Sequence, residues 1–473
     1  MKKTKIVCTL GPASRNEKVI EAMLQNGMNV ARLNFSHGTH EYHKESIELF
    51  RKVRDKLQLP AAIMLDTKGP EIRLGDFECE KVILKKGDEF TLTSRDILGN
   101  DSIVSITYKD LPSQLEIGNI ILIDDGKVNL EVLSIKETDI LCKVVVGGAI
   151  SNHKGVNVPN VHLNFDYLSE KDKADLAFGV QHDVDYIAAS FVRSKEDVIA
   201  IRNYLDYMGG KDIKIISKIE NNEGIENFDE ILKHSDGIMV ARGDMGVEVE
   251  YERLPGLQKQ FIRKCYQSGK AVITATQMLE SMIHNSTPTR AEITDVANAI
   301  FDGTSAIMLS GETAMGDHPA KVVKTMARIA KQAEEDARRM NVYEGIHHDN
   351  DIDDTTNAIC DAACTTAEDL NAKVIIAVTK SGHTARCVSK YRPNVPIVAP
   401  TPSDKTYHQL ALSWGVYPIK AIYQTNTNLL FDHAIACAKM GGYVKANDRV
   451  VITAGENDTT NILNVQVVKK TLI

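Results

Sequence analysis

The sequence lacks long apolar runs. No uncharged apolar stretch reaches the roughly 18 residues that a membrane-spanning helix requires, so such a helix is excluded on length. The apolar run within residues 1–10 stops at a Gly-Pro pair and is too short for a signal peptide. We therefore expect a cytoplasmic protein.

The sequence also lacks an excess of basic residues and any CxxC pair. Lys and Arg number 56 against 64 Asp and Glu, a formal net charge of -8, which argues against general binding to nucleic acid or to an anionic membrane. An anionic substrate would have to be held by local cations. The 8 cysteines are scattered, and Cys360 and Cys364 belong to an alanine-rich helical segment. These spacings favour buried thiols over a metal or redox role.

What remains is the composition of an ordinary globular protein, with length for about three domains. Of the 473 residues, 43% are hydrophobic and 25% are charged. Short β-branched segments alternate with helical periodicity. Strands are predicted at residues 4–9, 30–35, 61–66, 186–191, 214–219, 237–241, 271–275 and 306–309. Eight strand and helix units predict a closed (β/α)8 TIM barrel, which a long helix at about residues 318–340 would complete.

The barrel pattern stops after the third strand. Residues 81–93 and 119–146 alternate apolar and polar positions, with a tight-turn signal at Asp125 and Gly126. This alternating pattern predicts an inserted all-β domain. Helical periodicity returns at Ser169, a predicted N-cap that Asp172 completes as an acidic capping box.

A third domain follows a polar segment at residues 341–354. That segment contains Asp349, Asp351, Asp353 and Asp354, and it reads as a linker. A helix at about 356–370, a strand at 374–378 and a terminal strand near 465–468 predict an open α/β sheet. The predicted domains are a barrel at 1–69 and 169–340, a β-rich lid at 70–168 and a regulatory α/β domain at 341–473.

Polar side chains follow the predicted barrel strands at their C-terminal ends, where barrel enzymes place their catalytic groups. Any one of them could be a solvated loop residue. A whole set on one rim favours a functional site. The set comprises Arg32, Asn34, Ser36, Asp66, Thr67, Ser190, Arg193, Lys218, Glu220, Arg242, Asp244, Thr276, Ser310 and Glu312.

The residue types on this rim favour phosphoryl transfer. Glu220 and Asp244 are hard oxygen ligands suited to Mg²⁺ or Mn²⁺. Arg32 and Lys218 add the cations that balance charge on a transferring phosphoryl group. No Walker loop is present, because Asp317 stands where that loop needs lysine after residues 311–316.

Six runs of sequence carry a family resemblance. They are VARLNFSHG at 30–38, DTKGPEIR at 66–73, SKIEN at 217–221, ARGDMG at 241–246, ATQMLESM at 275–282 and MLSGET at 308–313. Together, and in this order along essentially the whole chain, they resemble the pyruvate kinase family. The resemblance implies a metal-dependent glycolytic phosphotransferase that uses phosphoenolpyruvate and ADP to give pyruvate and ATP.

The resemblance also implies roles for rim residues. Glu220 and Asp244 match the ligands of Mg²⁺ or Mn²⁺. Arg32 and Lys218 match the groups that contact the phosphoryl group. Gly243 and Asp244, through backbone amides, and Thr276 match the carboxylate and enolate end of the substrate. Thr276 is the favoured route for the proton to the enolate, directly or through water and Ser310 or Glu312.

Two further sets follow from the resemblance. The monovalent-cation site matches Asn34, Ser36, Asp66 and Thr67. The nucleotide site matches Asn34, Phe35, Ser36, His37, Arg73 and Lys154, with Arg73 also expected to take part in catalysis. Glu71 stands where some relatives have lysine and need no K⁺, so its carboxylate predicts K⁺ dependence.

An effector site is expected in the third domain. Small hydroxyl residues lie there between a strand and a helix, where backbone amides can bind an anion, although an N-cap turn would look the same. The resemblance favours an effector-phosphate loop at Thr379, Lys380, Ser381, Gly382, His383 and Thr384. The later segment 454–460 is short and acidic, which disfavours fructose 1,6-bisphosphate and leaves a sugar monophosphate or AMP. The family is usually a homotetramer.

Two other functions compete with this interpretation. One is another metal-dependent barrel enzyme acting on phosphoenolpyruvate or pyruvate, which would not explain the β lid or the monovalent-cation site. The other is a sugar-phosphate sensor with an inactive barrel, which the presence of Lys218, Glu220, Asp244 and Thr276 disfavours.

Overall fold

The structure is a computed structural model that describes residues 1–343, 354–424, 426–456 and 459–470. Most of the predicted linker therefore lies outside the described residues, and so do Asn457 and Asp458 of the acidic loop. No helix in the described part of the chain is long and apolar enough to span a bilayer.

The N-terminal part of the chain alternates strands with helices, as predicted. Its elements are β1 Lys5–Thr9, α1 Glu17–Gln25, β2 Val30–Asn34, α2 His40–Leu57 and β3 Ala62–Asp66. The helices are amphipathic: α1 buries Ile20, Met23 and Leu24 and leaves the charged residues of its other face partly or fully exposed. An apolar stripe of this kind must pack on a sheet, and it places the strands inside a ring of helices.

The insertion after β3 is built almost entirely from short strands. Its elements are β4 Ile72–Arg73, β5 Val82–Leu84, β6 Glu89–Thr93, β7 Ile103–Ser105, α3 Leu111–Gln114, β8 Ile120–Ile123, β9 Val128–Lys136, β10 Asp139–Val146, β11 Gly148–Ile150 and β12 Gly155–Asn157. Seven of the strands form one sheet in the order β4-β12-β8-β9-β10-β6-β7, and β11 pairs with β5. The predicted turn is confirmed, since Asp125 and Gly126 have positive φ between β8 and β9.

The barrel resumes after the insertion. Its elements are α4 Glu170–Gln181, β13 Tyr186–Ala189, α5 Lys195–Tyr207, β14 Lys214–Ile219, α6 Asn222–Glu226, α7 Phe228–His234, β15 Gly237–Ala241, α8 Arg242–Glu248, α9 Leu254–Gln267, β16 Ala271–Ala275, α10 Arg290–Phe301, β17 Ala306–Leu309, α11 Gly311–Ala314 and α12 Pro319–Arg339. The capping box of Ser169 and Asp172 at the start of α4 is confirmed.

Eight parallel strands close into the predicted barrel, in the order β1-β17-β16-β15-β14-β13-β3-β2. Closure occurs where Lys5 of β1 pairs with Ala306 of β17. Alternate residues point inward, and Val7, Met64 and Ile216 share one interior cluster. Strands buried on both faces must be apolar throughout, which explains the uninterrupted burial along β3, β15 and β17.

The third domain is an open α/β sheet, as predicted. Its elements are α13 Thr355–Asp369, β18 Val374–Ala377, α14 His383–Lys390, β19 Ile397–Thr401, α15 Asp404–Gln409, β20 Val416–Lys420, α16 Thr427–Met440, β21 Arg449–Glu456 and β22 Thr459–Val467. In the described residues the sheet order is β20-β19-β18-β21-β22. The terminal strand was predicted only near residues 465–468, whereas β22 begins at Thr459. Polar residues such as Thr459 and Asn461 on its exposed face make this part of the strand resemble a loop in the sequence.

The third domain seals one end of the barrel. Ala411 and Leu412 are buried in the barrel's interior cluster. Tyr186 at the start of β13 donates its hydroxyl hydrogen bond to the carbonyl oxygen of Gln409 over 2.5 Å. These contacts lie at the N-terminal ends of the strands, so the C-terminal rim remains for chemistry.

The cysteines follow the prediction only in part. Cys8, Cys142, Cys265, Cys360 and Cys437 are buried free thiols. The expectation of burial is wrong for Cys79, which is exposed, and for Cys364 and Cys387, which are partly exposed. Cys79 lies in the bend before β5.

Candidate active site

The C-terminal rim of the barrel brings predicted residues from three strands together. Arg32 lies on β2, Asp66 ends β3, Lys218 lies near the end of β14 and Glu220 follows it. In a parallel barrel these ends meet at one face. The register pairs Asn34 of β2 with Asp66 of β3, which brings the two predicted K⁺ ligands to the same level of the rim.

Asp66 is the centre of this cluster and is only 1% exposed. Its Oδ2 accepts a hydrogen bond from Arg32 Nε over 2.6 Å, and its Oδ1 lies 3.1 Å from Lys218 Nζ. Burial by itself would raise the pKa of Asp66, but the charges of Arg32 and Lys218, with their hydrogen bonds, hold that pKa below its usual value. Asp66 is therefore a permanent carboxylate between two cations.

Lys218 is a buried ammonium group with three partners. Its Nζ lies 3.0 Å from Glu220 Oε1 and donates to Ser190 Oγ over 2.6 Å, in addition to its contact with Asp66. Burial opposes the charge, but the carboxylates of Asp66 and Glu220 outweigh it and raise the pKa of Lys218. The side chain is fixed and charged before any ligand binds.

Glu220 and Asp244 form the candidate divalent-metal site. Burial raises the pKa of Glu220; the charge of Lys218 opposes this rise, and the charge of Asp244 adds to it. Glu220 Oε2 also accepts from the backbone N–H of Phe191 over 2.6 Å. A divalent cation would relieve the repulsion between these two carboxylates, of which Glu220 is buried and Asp244 is partly exposed, so the donor set fits Mg²⁺ or Mn²⁺.

The two carboxylates would not enclose a metal ion by themselves. Within the described ranges, no three His, Cys, Asp or Glu side chains form a group that could hold one. Mg²⁺ is commonly bound through one or two carboxylates together with substrate oxygens. The arrangement therefore suits a metal ion that bridges protein and substrate.

Thr276 occupies a strained backbone position immediately after β16. Its φ is 68 and that of Gln277 is 54, values that β-branched residues rarely adopt and that cluster at functional sites. Two hydrogen bonds hold it: Gly243 N–H donates to Thr276 Oγ1 over 2.8 Å, and Arg242 donates to the Thr276 carbonyl oxygen over 2.5 Å. The hydroxyl itself donates to the carbonyl oxygen of Ala275 over 2.6 Å.

Several rim residues support the site rather than face it. Arg193 is bound to Asp197 and to the carbonyl oxygen of Leu163. Arg242 pairs with Asp295 over 2.7 Å. Glu312 is 1% exposed and accepts the backbone N–H groups of Leu279 and Ser310. These ion pairs and hydrogen bonds fix the loops that carry the reactive groups.

The residues predicted to bind the monovalent cation lie at the ends of β2 and β3. Asn34 Oδ1 accepts the backbone N–H of Ser36 over 3.1 Å, which folds the turn after β2. Thr67 follows Asp66, and its carbonyl oxygen accepts from Ser190 Oγ over 2.7 Å. Amide, hydroxyl and carboxylate oxygens are ligands that a hard monovalent cation accepts, so this donor set fits K⁺.

Gly69 shows how closely β3 and β13 approach beside this position. Its φ is +70, and a Cβ atom there would lie 2.7 Å from the carbonyl oxygen of Ser190. Its backbone N–H donates to Asp172 Oδ1 over 3.0 Å. Only glycine fits without displacing Ser190, which positions Lys218.

The predicted nucleotide residues lie in two places. The side chain of Phe35 is buried and stacks on His43 with ring centroids 4.0 Å apart, so a nucleotide could reach only its backbone. His37 is exposed beside it. In the insertion, Arg73 pairs with Glu71 over 2.7 Å, and Lys154 pairs with Asp124 over 2.9 Å.

A cavity of about 310 Å³ separates the insertion from the rim. Glu71 and Asn157 line it from the insertion, and Asn222, Asp244 and Glu248 line it from the barrel. Hydrogen bonds cross it from Asn157 to Glu248 over 2.9 Å and from Asn222 to Asn160 over 3.0 Å. Substrates that bound here would lie between two separately folded bodies.

The predicted effector loop lines a second cavity, of about 500 Å³, in the third domain. Gly382 is the N-cap of α14 with φ 87, and its N–H donates to Thr379 Oγ1 over 2.9 Å. Thr384 Oγ1 bonds Thr460 Oγ1 over 2.8 Å. The other predicted residues on the cavity wall are Lys380, Ser381 and His383.

Two polar residues of the site were not assigned a role from the sequence. Ser190 was on the predicted rim, but its bridge between Lys218 and Asp66 required the three-dimensional structure. Thr9 was missed, although it ends β1 and its Oγ1 accepts from Arg32 over 2.9 Å. Thr9 would have been found if polar residues at the C-terminal end of the first strand had been included among the candidates, as they were for the other strands. We call this criterion the strand-end rule.

Comparisons with known proteins agree with this geometry. Two family models match the chain, one for the pyruvate kinase barrel domain over residues 1–323 and one for the pyruvate kinase alpha/beta domain over residues 357–466. A pyruvate kinase of Clostridium acetobutylicum is 50% identical over 99% of this chain and 100% of that protein. One of Clostridium perfringens is 48% identical over 96% of each chain. The crystal structure of a pyruvate kinase from Cryptosporidium parvum matches with a TM-score of 0.93 at 40% identity, over 98% of this chain and 96% of that chain.

Fold and site together define a barrel enzyme of the phosphotransferase class. The chain belongs to the pyruvate kinase family, which confirms the resemblance seen in its sequence. Its function is the glycolytic transfer of the phosphoryl group of phosphoenolpyruvate to ADP, giving pyruvate and ATP. The alternative barrel enzymes and the inactive sensor are thereby set aside.

Proposed function

We propose that Lys218 and Arg32 stabilise the phosphoryl group during its transfer. The observation that carries this proposal is the position of Lys218 Nζ, 3.1 Å from Asp66 and 3.0 Å from Glu220. Preorganised charge in a buried site stabilises a transition state without the cost of reorientation. Asp66 keeps both cations in place between catalytic cycles.

Glu220 and Asp244 are the proposed ligands of Mg²⁺ or Mn²⁺. When bound, the metal ion supplies positive charge to the phosphate and carboxylate oxygens of the substrate. The protein presents only two oxygen ligands, which leaves coordination positions for the substrate. Backbone amides at Gly243 and Asp244 begin α8, and the positive end of a helix favours the substrate carboxylate there.

Thr276 is the proposed route for the proton that reaches the enolate carbon. Its hydroxyl hydrogen now points to the carbonyl oxygen of Ala275, so it must rotate to serve a substrate. The strained backbone at Thr276 keeps the hydroxyl at the rim. Water with Ser310 or Glu312 would resupply the proton, and burial raises the pKa of Glu312.

The nucleotide is proposed to bind between the turn after β2 and the insertion. Asn34, Ser36, His37 and the backbone of Phe35 would contact it from the barrel. Arg73 and Lys154 would contact its phosphates from the insertion. Both cations already have carboxylate partners, Glu71 and Asp124, so phosphate binding would exchange one anion for another.

The domain division supports closure over the site. We assign the barrel to residues 1–69 and 169–340, a mobile lid to 70–168 and a regulatory domain to 341–473. Closing the lid over the cavity would exclude water, so that phosphate reaches ADP instead of being hydrolysed. Arg73 and Lys154 belong to the lid, so they would reach the nucleotide phosphates only when the lid closes over the site.

Regulation is proposed to act through the loop Thr379–Thr384. Lys380 and the amides around Gly382 would hold one phosphate, and the acidic sequence at 454–460 would repel a second. A sugar monophosphate or AMP is the expected effector. Control of this kind fits a homotetramer in the cytoplasm, because cooperative switching needs more than one subunit.

The first test replaces Lys218 by methionine, which keeps the length of the side chain and removes its charge. We expect turnover to fall on the order of 10²-fold or more, because a preorganised charge is lost from the transition state. The coupled assay of pyruvate formed from phosphoenolpyruvate and ADP measures it. Exposed Lys211, changed to methionine, is the matched control. Wild-type turnover by folded Lys218→Met protein would remove Lys218 from the mechanism.

The second test concerns K⁺. Because Glu71 supplies a carboxylate where a built-in cation would otherwise stand, we expect activity to need added K⁺. The assay compares tetramethylammonium buffer free of Na⁺ and K⁺ with the same buffer at equal ionic strength containing K⁺. Full activity without K⁺ would show that the oxygen cluster around Asn34 and Asp66 binds no essential ion.

The third test concerns the effector. Velocity at low phosphoenolpyruvate is titrated with AMP, with sugar monophosphates and with fructose 1,6-bisphosphate. We expect a monophosphate to activate and the bisphosphate to act more weakly. Lys380→Gln should shift the activation curve to higher effector concentration while leaving the basal rate unchanged. If none of the compounds changes the velocity, the loop is structural.

A further inference from the structure

Two helices of the third domain bring a pair of thiols together. Cys360 lies on α13 and Cys387 lies on α14, and Cys387 packs against the buried cluster that contains Cys360. Cys360 is fully buried, whereas Cys387 is partly exposed. A small solute can therefore reach the Cys387 thiol, whereas the Cys360 thiol is shielded from solvent. The catalytic mechanism uses neither.

An imidazole completes this arrangement. His383 stands one helical turn before Cys387, and Cys387 Sγ lies 3.5 Å from His383 Nε2 and 3.9 Å from Nδ1. The hydrogen bond from Cys360 lowers the pKa of Cys387; burial opposes this, and the hydrogen bond and charge of His383 and the charge of Arg386 reinforce it. The thiolate is the reactive form of cysteine.

A second histidine and cysteine pair in the same domain provides a built-in comparison. Cys437 Sγ lies 3.5 Å from His433 Nε2, with the same spacing along a helix. That Nε2 already accepts the backbone N–H of Ile422 over 2.9 Å. Burial raises the pKa of Cys437. Cys387 differs from Cys437 in having a second thiol, Cys360, in the cluster against which it packs.

The neighbouring thiol on α13 behaves differently from Cys360. Cys364 contacts the carbonyl oxygen of Val388 over 3.8 Å. Burial raises its pKa. Cys360 is the fully buried thiol of the cluster against which Cys387 packs, and its interaction with Cys387 lowers the pKa of Cys387. We therefore take Cys360 as the partner of Cys387.

We propose that Cys387 and Cys360 form a redox-active pair that hydroperoxides oxidise to a disulfide. The Cys387 thiolate sulfur attacks one peroxide oxygen, the O–O bond breaks, and the departing oxygen takes a proton and leaves as water or alcohol. Cys387 is then a sulfenic acid. The Cys360 sulfur displaces its hydroxyl group, the thiol proton joins that hydroxyl as water, and the S–S bond forms. Two electrons pass from the thiols to the peroxide.

Oxidation at this position would change the wall of the second cavity. His383 lines that cavity and bonds Cys387 at the same time. Loss of the thiolate removes the anion that faces the imidazole. The oxidation site stands on the thiol pair itself, and it does not depend on which effector the cavity binds.

The full-length protein, treated with hydrogen peroxide and then alkylated and digested with trypsin, tests the proposal. Cleavage at Arg339, Lys373, Arg386 and Lys390 leaves Cys360 and Cys364 on residues 340–373 and Cys387 on residues 387–390. We expect these two peptides to appear joined by a bond that dithiothreitol reduces. The same product from Cys364→Ser, and its absence from Cys360→Ser, would assign the partner.

Two further variants decide the chemistry. Cys360→Ser should accumulate a sulfenic acid at Cys387 that dimedone traps, and His383→Gln should slow oxidation on the order of tenfold, since a larger share of Cys387 would be protonated. Cys437→Ser should match the wild type. The proposal is overturned if Cys437 or Cys364 reacts as fast as Cys387, or if folded protein yields no link between the two peptides.

Discussion

The ion pairs around the Asp66 carboxylate are the interaction on which the site depends. Arg32 and Lys218 are cations at a buried rim, and each would be costly to bury alone. Asp66 lies 2.6 Å from one and 3.1 Å from the other, so their repulsion is offset before substrate arrives. The same carboxylate lies next to the oxygen atoms proposed for K⁺. One residue therefore holds both cations, and in the proposed mechanism it would also balance the charge of the monovalent cation.

The fold holds this carboxylate in place from several directions. Parallel pairing of β2 with β3 and of β13 with β14 fixes the strand ends in register. Ser190 bridges Asp66 and Lys218, and the close approach of Gly69 keeps Ser190 at the rim. The third domain closes the opposite end of the barrel. A rigid barrel with one open face and a separate β body above it suits chemistry that must exclude water.

Much of this could be predicted from the sequence, because the signals are local. Apolar strands and amphipathic helices alternate, so the barrel, the insertion and the third domain follow from periodicity, and the strand-end rule located Lys218, Glu220 and Asp66. Contacts between distant segments could not be predicted in the same way. The burial of Phe35 beneath the turn, the bridge made by Ser190 and the packing of Cys387 against the cluster that contains Cys360 depend on contacts between distant segments, which leave no periodic pattern in the sequence. The long edge strand β22 was underestimated because its polar face resembles a loop.

The most direct measurement of the central claim is the turnover of an Asp66→Asn variant in pyruvate formation from phosphoenolpyruvate and ADP. Asparagine keeps the shape of the side chain and removes the charge that Arg32 and Lys218 share. The account predicts a fall in kcat on the order of 10²-fold or more in a protein whose circular dichroism is unchanged. Wild-type kcat in that folded variant would contradict it, because the cations would then be organised without the carboxylate.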